Sequence, residues 1–116
     1  MKIRKSRKGD LKDIGKLMKK EFSKYPFNER DSIKNILKSL EFYFKLGKIF
    51  IAVGSKEIMG VIVVKFEQYW EGRVMIIEDL AVDSKFQNRK VGRRLMKFAE
   101  NYAKKKKGKL VLFKTH

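Results

Sequence analysis

The chain has 116 residues, no cysteine, and 30 Lys plus Arg against 13 Asp plus Glu, for a formal net charge of +17. That length bounds it at a single domain over residues 1–116, and the lack of cysteine excludes a disulfide framework and thiolate chemistry. Hydrophobic residues make up 43% and argue for a folded chain, while no apolar run approaches the roughly 20 residues of a membrane-crossing helix.

The opening MKIRKSRKGD has no signal-peptide core, so a cytoplasmic protein with no membrane partner is expected. The charge points to anionic partners. A nucleic acid and a phosphate-bearing cofactor both fit, and so does a lysine-rich surface coat of the kind found in heat-adapted proteins.

In chain order, Lys2 to Ser6 reads as a short extended segment that Gly9 and Asp10 end, with Asp10 as a helix N-cap. Leu11, Ile14, Leu17, Met18 and Phe22 form a stripe, so a first helix runs to about Lys24. Pro26 breaks it, and Asn28 or Asp31 starts another. Ile33, Ile36, Leu37, Leu40 and Phe44 share one face of this second helix, which Gly47 ends. Its aromatic cluster Phe42, Tyr43 and Phe44 either packs in the core or lines a pocket.

Ile49 to Val53 and Ile58 to Phe66 form a hairpin around the turn Gly54 to Glu57. A second turn, Gln68 to Arg73, feeds a strand from Val74 to Val82, making an antiparallel meander. Tyr69 and Trp70 sit in that turn, where packing is expected; contact with a substrate or subunit is the alternative. Simple alternation puts Val74, Ile76, Glu78, Leu80 and Val82 on one face of the strand and Met75, Ile77, Asp79 and Ala81 on the other. A bulge would change that parity locally. Among apolar neighbours, Glu78 is either a general base or the partner of a neighbouring cation.

Asp83 and Ser84 make a turn, and Val91, Leu95, Phe98, Ala99 and Tyr102 mark a third helix, closed by Lys104 to Lys107 and Gly108. Leu110 to Phe113 would be a strand parallel to Val74–Val82, with the helix as crossover. The fold class is α+β: an antiparallel meander joined to a parallel βαβ unit around a central strand. The sole histidine, His116, is expected in solvent, and no metal site is implied.

The run Leu80-Ala81-Val82-Asp83, then Phe86, then Gln87-Asn88-Arg89-Lys90-Val91-Gly92-Arg93-Arg94-Leu95 resembles the acetyl-coenzyme A motif of the GCN5-related N-acetyltransferases, the GNAT family. That motif reads [Gln/Arg]-x-x-Gly-x-[Gly/Ala]. Gln87 matches its first position and Gly92 its last, while Lys90 stands where the first glycine is expected. The resemblance implies acetyl-CoA as co-substrate, a primary amine as acceptor, and a GNAT-like fold. It further implies that the backbone of Leu80, Ala81 and Val82 pairs with the pantetheine arm. The amides from Gln87 to Gly92 would hold the pyrophosphate, with Arg89, Lys90, Arg93 and Arg94 adding charge.

The second-helix region would help form the acceptor pocket, and Glu78 would serve as base. Family members usually continue past the last strand with a helix that supplies a tyrosine acid and then two more strands, so this chain is expected to be C-terminally short. Its Leu110–Phe113 edge would then invite a homodimer. The alternative reading is a small basic nucleic-acid-binding module; weak, sequence-blind nucleic-acid binding is expected in either case.

Overall fold

The alternating apolar stretches form one sheet in the computed structural model, which describes residues 1–24, 30–70, 72–106 and 109–111. Strands β1 (Lys2–Lys5), β2 (Lys48–Val53), β3 (Ile58–Tyr69) and β4 (Gly72–Val82) pair antiparallel in that order. Strand β5 (Lys109–Val111) adds parallel to β4, with Met75 opposite Leu110. Helices α1 (Leu11–Phe22) and α2 (Ile33–Leu46) connect β1 to β2, and α3 (Val91–Lys105) connects β4 to β5. The expected fold class therefore stands.

Both faces of the sheet are covered, which is why the central strands are apolar almost without interruption. Beneath α1 and α2 lie Ile49, Ile51, Val61, Val63 and Ala81, packed on Leu11, Ile14, Leu17, Met18 and Leu40. Beneath α3 lie Phe50, Ile62, Val64, Met75 and Ile77, packed on Val91, Leu95, Ala99 and Ala103. Phe98 and Tyr102 flank Phe50, each with ring centroids 5.0 Å away. Each large apolar side chain withdrawn from water in these layers contributes about 1.5–3 kcal/mol. Close approach of α3 needs bare backbone at one point. A Cβ on Gly60 would lie 3.0 Å from both Leu95 Cδ1 and Val91 Cγ1.

Several local expectations are corrected. Asp10 stands at the N-cap position of α1, but its side chain makes no capping bond: its carboxylate accepts from Arg7 N at 2.7 Å and Arg4 Nη1 at 2.9 Å. A 3-10 turn over Lys8–Asp10 already gives Asp10 helical torsions, so its side chain is turned back toward β1. Helix α2 starts neither at Asn28 nor at Asp31. Ser32 is its N-cap, with Oγ accepting from Asn35 N at 3.1 Å; Pro26 and Asn28 lie outside the described residues.

Trp70 does not pack. It is fully exposed, and Tyr69 is 47% exposed. The strands run further than their apolar patterns, to Tyr69 in β3 and from Gly72 in β4, so the hairpin tip projects past the core; Gly72 takes φ 130 there. Of the expected last strand, Leu110 and Val111 lie in β5, whereas Gly108, Leu112, Phe113 and His116 fall outside the described residues.

Candidate active site

Strand β4 is irregular where its carboxylates lie. Val63 of β3 pairs with Asp79, but the next residue, Val64, pairs with Ile77, so Glu78 is an extra residue, a β-bulge. Before the bulge Met75 and Ile77 face α3, and after it Leu80 and Val82 do. Glu78 therefore does not share a face with Leu80, as unbroken alternation required. Glu78 and Asp79 both open toward α1 and α2.

They open into a cavity of about 390 Å³. Met18 and Phe22 of α1 and Ile36 and Tyr43 of α2 make its apolar walls, with Asp31, Asn35, Ser39 and Lys19 completing the lining. Asp31, Asn35, Ser39 and Tyr43 recur every four residues, the spacing of one helical face. That stripe is the signal for the pocket that the aromatic cluster alone did not give. Of the cluster, Tyr43 lines the cavity, Phe44 packs partly into the core, and Phe42 is 54% exposed, set edge-on to Tyr43.

Glu78 has the cationic neighbour that was one of its two sequence readings. Its Oε1 lies 3.1 Å from Lys65 Nζ on β3, and Lys65 also contacts Glu67 at 3.1 Å. That oxygen is buried, and the Lys65 ammonium is the cation beside it. Burial first, and then the negative charge of Glu78, push the Tyr43 phenol above its ordinary pKa against the pull of Lys65. Tyr43 thus keeps its proton at neutral pH.

The strand-to-helix loop is tied to α1. Ser84 donates through its backbone N (3.2 Å) and Oγ (2.7 Å) to Glu21, and Lys20 Nζ lies 2.8 Å from Asp83 Oδ2. Lys24 Nζ reaches Ser84 Oγ at 2.7 Å. Burial pushes the Glu21 carboxyl up, but hydrogen bonds from Ser84 and Lys24 outweigh it and hold the group below its ordinary value. Asp83 behaves alike, with burial opposed by Lys20 and the Lys85 amide.

A depressed folded-state pKa means the clamp stabilises above the ordinary carboxylate range and fades as pH falls through the lowered values. Thermal melts from neutral to acidic pH are expected to show this loss. The loss should shrink in Glu21→Gln; an unchanged pH profile in that variant would refute the assignment.

Beyond the clamp a 3-10 segment, Ser84–Arg89, leads to Lys90 with φ 59 and ψ 25, the one non-glycine left-handed residue among those described. This is the position at which the motif has glycine. A side chain in this conformation costs roughly 1–2 kcal/mol. Lys90→Gly is therefore expected to raise unfolding stability by up to about 1 kcal/mol once the added chain entropy of glycine is subtracted. Chemical denaturation checks it, and a destabilised variant would contradict it.

The structure brings most of the motif residues together at the α3 N-terminus. Gln87, Arg89, Lys90, Arg93 and Arg94 are exposed there, and the first turn holds no acidic residue. Gln87 Nε2 donates to the Val82 carbonyl at 3.4 Å. Helix geometry leaves the first amides of α3 without intrahelical partners, a setting that favours anions. A Cβ on Gly92 would meet only Val82 Cγ2 at 3.6 Å, so the approach is open. Val91 is wholly buried, and Leu80 and Val82 pack under α3 while Ala81 faces the other way. These four offer backbone only. The last described β4–β5 pair is Ile76–Val111, so the edge from Glu78 to Val82 has no described strand beside it.

Residues 11–116 match the acetyltransferase (GNAT) family. The chain belongs to that family. Its fold superposes on a probable acetyltransferase with TM-score 0.86 at 17% identity, covering 99% of this chain and 80% of that one. A ribosomal-protein-alanine N-acetyltransferase from Brucella melitensis biovar Abortus 2308 gives TM-score 0.81 at 13% identity, covering 100% and 82%. An aminoglycoside acetyltransferase from an uncultured soil metagenomic sample, in complex with trehalose, gives 0.75 at 20%, covering 98% and 77%. At these identities the likeness is one of fold. No curated protein matches the sequence.

GNAT enzymes generally use acetyl-CoA, and this chain's cationic, carboxylate-free helix N-terminus, beside a β4 edge that has no strand next to it among the described residues, fits that group. Among the described residues no cluster is arranged to hold a metal ion, and no helix is long and apolar enough to cross a membrane.

Proposed function

We propose that this GNAT chain is an N-acetyltransferase that moves the acetyl group of acetyl-CoA to a primary amine. The bulge in β4 carries the reading, because it directs Glu78 and Asp79 into a cavity while the same strand ends at the cationic α3 N-terminus. Acetyl-CoA supplies a thioester: the amine nitrogen bonds the acetyl carbon, the C–S bond breaks, and the proton lost by the amine is balanced by one gained by the sulfur. The amides from Gln87 to Gly92 would hold the pyrophosphate, with Arg89, Lys90, Arg93 and Arg94 adding charge. Leu80, Ala81 and Val82 would bind through backbone.

A lysine-like amine has pKa near 10.4, so presenting it neutral at pH 7 costs roughly 4–5 kcal/mol. Glu78, in this reading, takes that proton directly or through a water. Tyr43 holds its own proton and donates toward the carboxylates. A single domain over residues 1–116, a cytoplasmic setting and a twofold dimer joined at the outer edge of β5 complete the proposal; light scattering that finds a monomer at tens of micromolar would remove the dimer.

Calorimetry with acetyl-CoA, followed by mass spectrometry of an amine panel, tests the function. Binding with acetylated product supports it, and neither would end it. Submicromolar nucleic-acid binding at physiological salt without cofactor affinity would put the nucleic-acid module in its place.

A further inference from the structure

The sheet face beneath α3 ends in a field of cations. Lys5 pairs with Phe50, and Lys48 stands two residues before Phe50, so strand alternation puts both on the α3 side of the sheet. Phe66 and Arg73 continue that side on β3 and β4, with the Arg73 guanidinium 4.8 Å from the centre of the Phe66 ring. Lys106 closes α3 near enough for its charge to act on Lys48.

Side-chain contact with Lys5 first, then burial, then the charges of Lys5, Lys106 and Arg73 hold the half-buried Lys48 ammonium below its ordinary pKa. Elsewhere lysines answer carboxylates, as Lys20 does Asp83 and Lys65 does Glu78. Among the described residues none of these four cations has a carboxylate partner, so the fold bears a repulsion that an anion would relieve.

The field joins two further features. Along β1 it runs into a groove of about 450 Å³ between Ile3 of β1 and Phe98 of α3, rimmed by Lys2 and Lys97 and lined by no carboxylate among the described residues. Along the β3–β4 hairpin it runs to the tip, where Trp70, the sole tryptophan of the chain, is fully exposed close to Arg73.

We propose that this face binds a single-stranded nucleic acid, its phosphates along Lys97, Lys5, Lys48, Lys106 and Arg73 and one base stacked on Trp70. The inference is independent of acetyl transfer, since the cavity with Glu78 and Asp79 opens on the opposite side of the sheet. A cationic track beside an exposed aromatic ring holds unpaired strands because every base has a π-face. A duplex hides those faces from Trp70. An acidic peptide added to the β1 edge fits less well: that edge has 4 residues, and Arg4 Nη1 already donates to the Lys5 carbonyl at 3.0 Å. A flat anionic membrane does not follow a groove or reach the half-buried Lys48.

The whole chain without cofactor is titrated with a short oligouridylate at rising salt, with the fluorescence of Trp70 as the readout. Quenching is expected, with a log-log salt slope of about −0.7 for each phosphate held. Lys5→Gln and Lys48→Gln should each weaken binding several-fold and flatten the slope by about 0.7, whereas Lys38→Gln, on the exposed surface of α2, should do neither. Trp70→Ala, followed by the anisotropy of a labelled strand, should lose about 5- to 150-fold in affinity at an unchanged slope. Melting temperatures check folding, and Lys48→Gln should raise them by removing a crowded cation. Should Lys48→Gln fail to fold, the exposed Lys5→Gln carries the same test.

An effect of Lys38→Gln as large as that of Lys48→Gln would reduce the binding to net charge and overturn the site, and so would an unquenched Trp70. Tighter binding of duplex DNA or of oligoglutamate would put that partner in place of the single strand. Displacement of the oligonucleotide by acetyl-CoA would assign the groove to the cofactor and overturn the proposal, whereas simultaneous binding of the two supports it.

Discussion

Glu78→Gln is expected to lower kcat by about 10²–10⁴ while the amine KM changes little, the effect of removing a positioned general base. The substitution keeps the shape of the side chain and deletes its charge together with its ability to take a proton. Its environment makes the test informative. Lys65 Nζ lies 3.1 Å from Glu78 Oε1, so a purely structural role as half of an ion pair predicts a different pattern. If Glu78 merely neutralises Lys65, then Lys65→Met and Glu78→Gln should have similar, modest effects on both stability and rate. If Glu78 is the base, Lys65→Met removes a charge that favours the carboxylate and should leave most of the rate, whereas Glu78→Gln should not. Raising the pH should partly rescue Glu78→Gln, because more of the free amine is then neutral. Wild-type turnover in Glu78→Gln would move the base to Asp79, which shares the cavity.

The layered α+β fold was legible because its signals are local. Near-continuous apolar strands encode burial on both faces, the Leu11 to Phe22 and Val91 to Tyr102 stripes each encode one buried face, and the sheet order follows from short connections. The positive φ at Lys90 was not legible in its own side chain, since lysine disfavours that conformation; only the glycine of the motif marks the position. What could not be read depends on partners distant in sequence. The bulge at Glu78 is a mismatch of register between two strands, and nothing in the alternation of β4 alone marks it. The clamp joins Glu21 to Ser84 across 63 residues, and each looks like an ordinary surface residue by itself. Trp70 was misread because aromatic content implies burial, whereas the length of the hairpin carries it past the core.

These distant contacts also bring the two halves of the candidate site together. Met18, Lys19 and Phe22 of α1 line the cavity, while Lys20 and Glu21 of the same helix, with Lys24 just past its end, hold Asp83 and Ser84 at the start of the strand-to-helix loop. One helix thus fixes the cavity wall and the loop in a single frame, and β4, which carries Glu78 and Asp79 and runs into Asp83, joins them a second time.

Gly92→Asp is the second large effect, and it should be confined to the cofactor. The position has room, since the nearest atom to an added Cβ is Val82 Cγ2 at 3.6 Å. It also lies in the first turn of α3, where a carboxylate interacts favourably with the helix dipole, so the fold should be kept or slightly strengthened. Yet the same carboxylate would occupy the region in which the free amides and Arg89, Lys90, Arg93 and Arg94 are proposed to receive the pyrophosphate. Like charges brought together cost several kcal/mol, which corresponds to a loss of acetyl-CoA affinity of at least about 100-fold. Gly92→Ala separates charge from bulk, because it adds the Cβ without the carboxylate and should lose far less. Calorimetry on the three proteins, with melting temperatures to confirm folding, decides it: unchanged affinity in a folded Gly92→Asp would place the cofactor elsewhere, and an equal loss in Gly92→Ala would show that space, not charge, governs the loop.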